Sequence, residues 1–183
     1  MINDNQTEIT DELLILVDSD DIEIGLMDKV LVHKTGVLHR AFSVFIFDPE
    51  GNLMLQQRAL GKYHSPGLWS NTCCSHPRKG ETTPAACSRR LKEEMGISCS
   101  LKFAFSFTYR ASFENGLIEH EFDHVYFGSS DSIPKTDPQE VMDWKYMSVD
   151  ELKKDISAHS ENYTEWLKVC FQKVVEHLRT SKS

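Results

Sequence analysis

The apolar positions of this chain fall in short blocks whose spacing changes from strand-like to helix-like along its length. Leu13 to Val17 is an apolar run that reads as a strand ending in the acidic turn Asp18-Ser19-Asp20-Asp21. Gly25 to His33 reads as a short helix. Leu38 to Phe47 reads as a strand with Phe42, Val44 and Ile46 on one face, because successive side chains in a strand alternate sides. The turn Pro49-Glu50-Gly51-Asn52 then predicts a hairpin with Leu53 to Arg58. Thr83-Pro84 marks a helix start and Met95-Gly96 its stop. Leu101 to Arg110 and Leu117 to Phe127 read as strands joined by a turn containing Asn115-Gly116. Met142 to Met147 is a further strand, and Ser148-Val149-Asp150-Glu151 has the form of a capping box. Asn162 to Arg179 is an amphipathic helix. Strands outnumber helices and do not alternate strictly with them, which predicts an α+β fold with a mixed sheet and helices on both faces.

One segment breaks this regularity. Ala59 to Gly80 is a long irregular stretch holding Pro66, Gly67 and Pro77 together with histidine and cysteine side chains. Loops of that length in compact domains are usually functional or disordered.

Composition narrows the classes. Residues 1–183 fit one domain able to bury a core, and 40% hydrophobic with 26% charged residues match an ordinary globular enzyme. The net charge of -8 disfavours nonspecific nucleic-acid binding, which depends on Lys and Arg neutralising phosphates. The start MINDNQTEITDE is polar and acidic, unlike a secretory or transit signal, and no apolar run has the length of a membrane helix. The five cysteines show no CxxC spacing, which argues against a disulfide framework or a zinc knuckle. A cytoplasmic protein with reduced thiols and no membrane partner is expected.

Three groups of residues could carry chemistry. His33, His39, His76, Glu119 and Glu121 can be offered as metal ligands. Glu119 and Glu121 lie on one face of a predicted strand, where like charges repel unless a cation or proton sits between them. The plainer alternative is that both lie on a solvent face. Imidazoles with carboxylates at five or six positions suit Mn, Zn, Fe or Mg better than a closed tetrahedral zinc. Arg58, Lys62, Arg89-Arg90 and Lys29 could capture an anion, and Glu94 lies one helical turn beyond Arg90, where it could hold Mg2+ against a diphosphate. An ordinary surface ion pair is the alternative. Cys74, Tyr109 and Glu121 could form an acid–base set, with Cys73 beside Cys74 leaving open which thiol matters.

Taken together these segments resemble one family. The carrying stretches are His33 with Leu38 to Ser43, Arg58-Ala59-Leu60-Gly61-Lys62, Pro66 to Pro77, Gly80-Glu81 and Arg89 to Gly96, then Tyr109-Arg110-Ala111, Glu119-His120-Glu121 and Trp166. They are similar, in order, to the type I isopentenyl-diphosphate isomerases, a branch of the Nudix-like superfamily. The helix before Gly96 resembles a Nudix box in Glu81, Arg89, Glu93, Glu94 and Ile97. It departs from that box at Ser75, where a Gly opens it, and at Arg90, where hydrolases of the superfamily have a metal-holding Glu.

The resemblance implies a Nudix-like mixed sheet sandwiched between helices and an enzyme that interconverts isopentenyl and dimethylallyl diphosphate. It implies that His33, His39, His76, Glu119 and Glu121 hold one divalent metal (Mn2+, Zn2+ or Mg2+), and that Glu94 holds a Mg2+ arriving with the diphosphate. Lys29, Arg58, Lys62 and Arg90 would contact the diphosphate. Glu121 and Tyr109 would act on one face of the double bond and Cys74, as a thiolate, on the other. Trp166 would stabilise the tertiary carbocation through its ring face, and Trp69 could line the same cavity. A monomer or weak dimer is expected, acting on a small isoprenyl diphosphate. A Nudix-type diphosphate hydrolase is the rival reading.

Overall fold

A computed structural model describes residues 13–62, 64–113 and 115–180. The acidic start of the chain, residues 1–12, lies outside the described residues. Among the described residues, nine strands form one mixed sheet. Strand β1 (Leu13–Val17) pairs antiparallel with β2 (Glu23–Asp28). Helix α1 (Lys29–Thr35) follows, then β3 (His39–Phe47) and β4 (Leu53–Arg58). Two short strands, β5 (Trp69–Ser70) and β6 (Cys73–Ser75), precede helix α2 (Thr83–Met95). Strands β7 (Leu101–Ser112), β8 (Ile118–Ser129) and β9 (Val141–Met147) come next, with helices α3 (Val149–Ala158) and α4 (Glu165–Thr180) after them.

The centre of the sheet is β3, which runs parallel to β8 with His39 opposite Glu121 and antiparallel to β6 with Ser43 opposite Cys74. Its alternating side chains serve two cores. Phe42, Val44 and Ile46 pack with Leu91 and Met95 of α2 on one face, as the alternation predicts. Phe45 packs with Leu152 of α3 and with Leu167, Phe171 and Val174 of α4 on the other. Burial on both faces explains the near-continuous apolar run of β3.

Several boundaries differ from the sequence reading. Gly25 to His33 is not one helix: the segment up to Asp28 pairs with β1, and the helix starts afterwards because the Asp28 carboxylate accepts from the Leu31 N–H at 3.0 Å. The predicted hairpin of β3 and β4 closes at Phe47 and Leu53, but the strands then splay apart. The stretch Ala59 to Gly80, read as irregular, fills that gap. Thr72 Oγ1 accepts from Ile46 N–H at 2.9 Å and donates to Met54 O at 2.6 Å, while Asn71 Nδ2 donates to Val44 O at 3.2 Å and Cys73 O at 2.9 Å. Buried side chains thus replace the missing ladder bonds between the two strands. The last helix begins at Glu165, not Asn162, because Tyr163 bridges to Trp69 and the Thr164 N–H donates to the Trp69 carbonyl at 3.0 Å. The capping box forms as expected, with Ser148 and Glu151 exchanging hydrogen bonds at the start of α3. No helix among the described residues is long and apolar enough to cross a membrane.

Candidate active site

Three imidazoles and a carboxylate converge where β3, β6 and β8 meet the end of α1. His33 stands on α1, whose last turn is closed by Gly36 at φ 68, where an added Cβ would lie 2.9 Å from Ile118 Cγ2. That close approach brings α1 down onto β8. His39 opens β3 beside Glu121, and His76 follows β6. One ligand atom from each of His33, His39, His76 and Glu121 lies within 4.8 Å of all the others.

The tautomers follow from the hydrogen bonds. Nδ1 of His33 is 2.7 Å from the Lys29 carbonyl and Nδ1 of His39 is 2.9 Å from the Val37 carbonyl. A carbonyl can only accept, so each Nδ1 carries a proton and donates it, which leaves Nε2 as the nitrogen turned towards the cluster. Burial, aided by the neighbouring His76 and His39, lowers the His33 pKa to about 4, so it stays neutral. Nε2 of His39 is buried without a hydrogen bond, 3.6 Å from Glu121 Oε1. Imidazoles, two of them with Nδ1 fixed by a carbonyl, and an anionic oxygen among them are the donor set of a divalent metal. The residues present fit such an ion.

Glu119 and Glu121 do point to one face, and both are buried, so the solvent-face alternative is excluded. Tyr109, opposite Glu121 on β7, has its Oη 2.7 Å from Oε2 of each carboxylate. A phenol has one proton to donate, so one carboxyl must return a proton to the phenol oxygen. Burial and the charge of Glu121 raise the Glu119 pKa to about 8. Burial also pushes Glu121 upward, but His39 and His76 outweigh this and hold it well below the carboxylate range. Glu119 is therefore the protonated member of the pair.

Across the same cavity, of about 430 Å³, stand Cys74, Trp166 and the cations Lys29, Arg58, Lys62 and Arg90. Strand alternation decides between the adjacent thiols: Cys73 is buried in the α2 core and Cys74 faces the cavity. Cys74 is on a strand, not in the polar loop expected, and enclosure pushes its thiol up, with Arg58 opposing. Arg90 donates to Glu94 at 2.7 Å and to Glu140 at 3.0 Å, and Lys62 also pairs with Glu140. Gln56 holds the other Glu94 oxygen through its Nε2 at 2.9 Å. Trp166 donates its indole N–H to Ser70 Oγ at 2.8 Å, and the Arg58 guanidinium lies 5.0 Å from its ring centroid. Trp69 does not line the cavity; it packs in the α4 core beneath Lys145, 4.1 Å away.

The NUDIX domain family model matches residues 37–167. The isopentenyl-diphosphate Delta-isomerase 2 of Aromatoleum aromaticum is 53% identical over 165 residues, covering 90% of this chain and 87% of its own. An isopentenyl-diphosphate Delta-isomerase from Serratia proteamaculans is 53% identical over 156 residues, covering 85% and 87%. The chain belongs to the Nudix family, in its isopentenyl-diphosphate isomerase branch. Among solved structures, DR0079 from Deinococcus radiodurans superposes with a TM-score of 0.74 at 23% identity, covering 88% of this chain and 98% of its own, and a MutT NUDIX hydrolase from Burkholderia pseudomallei superposes with a TM-score of 0.60 at 18% identity, covering 75% and 98%, so the fold is the Nudix fold.

Within this Nudix fold, the residues expected at the site are brought together except Trp69, while Glu119 stands just outside the four-membered metal cluster. The box residues divide their work. Glu94 faces the cavity, whereas Glu81 accepts two hydrogen bonds of 2.8 Å from Arg89 and braces the helix. Sequence reasoning missed His64, Gln56 and Glu140, which also line the cavity. A lone loop histidine and an acidic turn residue carry no spacing signal. The separation of Arg90 from its counter-ion Glu140 along the chain hid that pair.

Proposed function

We propose that this protein interconverts isopentenyl and dimethylallyl diphosphate by proton addition and removal on opposite sides of one double bond. The observation that carries the reading is the placement of Tyr109 against Glu119 and Glu121 on one wall of a cavity whose other residues include the Cys74 thiol. The substrate's diphosphate binds among Lys29, Arg58, Lys62 and Arg90, with Glu94 holding the Mg2+ that accompanies it. His33, His39, His76, Glu119 and Glu121 hold a second divalent ion, Mn2+, Zn2+ or Mg2+. When bound, that ion supplies the positive charge that keeps the two buried glutamates acidic enough to release a proton.

In the forward direction a proton passes from the Tyr109–Glu121 side to the terminal alkene carbon and leaves a tertiary cation. Cys74, as a thiolate, takes the allylic proton on the other side and becomes the thiol, and the double bond re-forms one position along. Atoms balance, since one proton enters and one leaves. Trp166 presents a ring to the cation, a contact worth about 2 kcal/mol when desolvated. Arg90, standing where the hydrolases have a glutamate, supports isomerisation over phosphoanhydride cleavage. The five free cysteines suit a reducing compartment, the cytoplasm in this reading.

Incubation with isopentenyl diphosphate in deuterated water tests this. Proton NMR should show deuterium entering the product with no inorganic phosphate released. Phosphate release without deuterium exchange would establish the hydrolase instead.

A further inference from the structure

The loop between β4 and β5 carries a histidine that the mechanism above leaves unused. His64 lines the cavity with its side chain 10% exposed, and its Nε2 lies 3.6 Å from Glu119 Oε1. Its ring stands edge-on to Trp166 with centroids 5.6 Å apart and stacks on Phe113 at 5.8 Å, with 27° between the planes. One side chain therefore touches both the carboxyl that shares a proton with Tyr109 and the aromatic wall proposed for the cation.

The backbone that places this ring is strained. Ser65 has φ 49, in the left-handed region that is unfavourable for a residue with a Cβ. Such conformations persist where surroundings hold them, and they gather at functional sites. Here Arg58 is the clamp: its Nε donates to Ser65 O at 3.2 Å and its Nη2 to His64 O at 3.1 Å, from beside the Trp166 ring. Loops run over the surface, so an inward side chain on one stands between solvent and the cavity.

Building on the isomerase reading, we propose that His64 is a positioning residue that orients Glu119 and walls the reaction cavity off from water. A tertiary cation in this cavity has two fates. Loss of a proton gives the isomer. Attack by water forms a C–O bond, and loss of a proton from the added water leaves a tertiary alcohol diphosphate. Removing the His64 ring opens the second route.

The test uses the full-length enzyme with Mg2+ and Mn2+, isopentenyl diphosphate as substrate, and product analysis by NMR and mass spectrometry. For His64→Ala, kcat should fall roughly 10- to 100-fold with KM little changed, as for loss of a neighbour that orients a site carboxylate. The alcohol diphosphate should appear among its products. His64→Phe keeps the ring without Nε2, so it should suppress the alcohol while kcat stays below wild type. Wild-type kcat in His64→Ala with no alcohol overturns the proposal. So does a slowed His64→Ala enzyme that makes no alcohol and is not improved by His64→Phe. If His64→Ala does not fold, His64→Phe decides: reduced kcat at unchanged KM supports the role, and wild-type kcat overturns it. Phosphate release by the wild-type enzyme would overturn the isomerase reading itself, a result distinct from these.

Discussion

Glu121 Oε1 lies 3.1 Å from His76 Nε2, a contact between residues 45 positions apart that ties β8 to the end of β6. With His39 at 3.6 Å from the same oxygen, it forms the heart of the four-membered cluster. A ligand that binds the folded state alone stabilises it by about 4 kcal/mol at a thousandfold excess over its Kd. Mn2+ or Zn2+ added to chelator-treated protein should therefore raise Tm by several degrees in differential scanning fluorimetry. His76→Ala should lose most of that shift. An unchanged Tm in the wild type would remove the metal from this cluster.

Tyr109→Phe deletes the hydroxyl between Glu119 and Glu121 and leaves the ring packing intact. Removing a positioned proton-transfer group costs about 100-fold or more in rate. Steady-state kinetics should show that loss in kcat with KM nearly constant. Urea denaturation should show a stability loss of about 1–3 kcal/mol, because two buried carboxyls lose a partner.

Cys74 faces the cavity, while Cys73, Cys87 and Cys170 are buried in the cores. An epoxide analogue of the substrate diphosphate should label Cys74, as read by peptide mass spectrometry. Inorganic diphosphate should protect it by occupying the cation-lined end of the cavity. Labelling at Cys99 with Cys74 untouched would mean that the thiol does not reach the bound chain.

Glu81 gives a pH signature away from the chemistry. Hydrogen bonding from Arg89, aided by the Arg78 N–H, holds its pKa near 2 against an ordinary 4.5. In the folded state the carboxylate stays charged while the unfolded chain takes up a proton. Its stabilising contribution is thus complete above about pH 4.5 and is lost as the pH falls towards 2. Glu81→Gln should flatten the dependence of Tm on pH between those limits and lower Tm at neutral pH. Parallel curves for the two proteins would show that the Arg89 pair adds nothing.

The sequence by itself determined the elements whose signals are local. Thr83-Pro84 and Gly96 bound α2, Asn115-Gly116 turns β7 into β8, and strand periodicity puts Glu119 and Glu121 on one face. The residues that converge on the cavity were also largely named from the sequence, because the motif order resembles one family over most of the chain. Tertiary structure decided the rest. It chose Cys74 over Cys73, removed Trp69 from the cavity, and supplied His64, Gln56 and Glu140. It also turned an apparent long loop into two short strands braced by Asn71 and Thr72. The physical reason is range. Periodicity and capping act over a few neighbouring residues, whereas a cavity wall depends on strand registers and side-chain packing between segments far apart in the chain. Which loop residue turns inward is settled by the partners waiting there, as Arg58 and Trp166 are for His64.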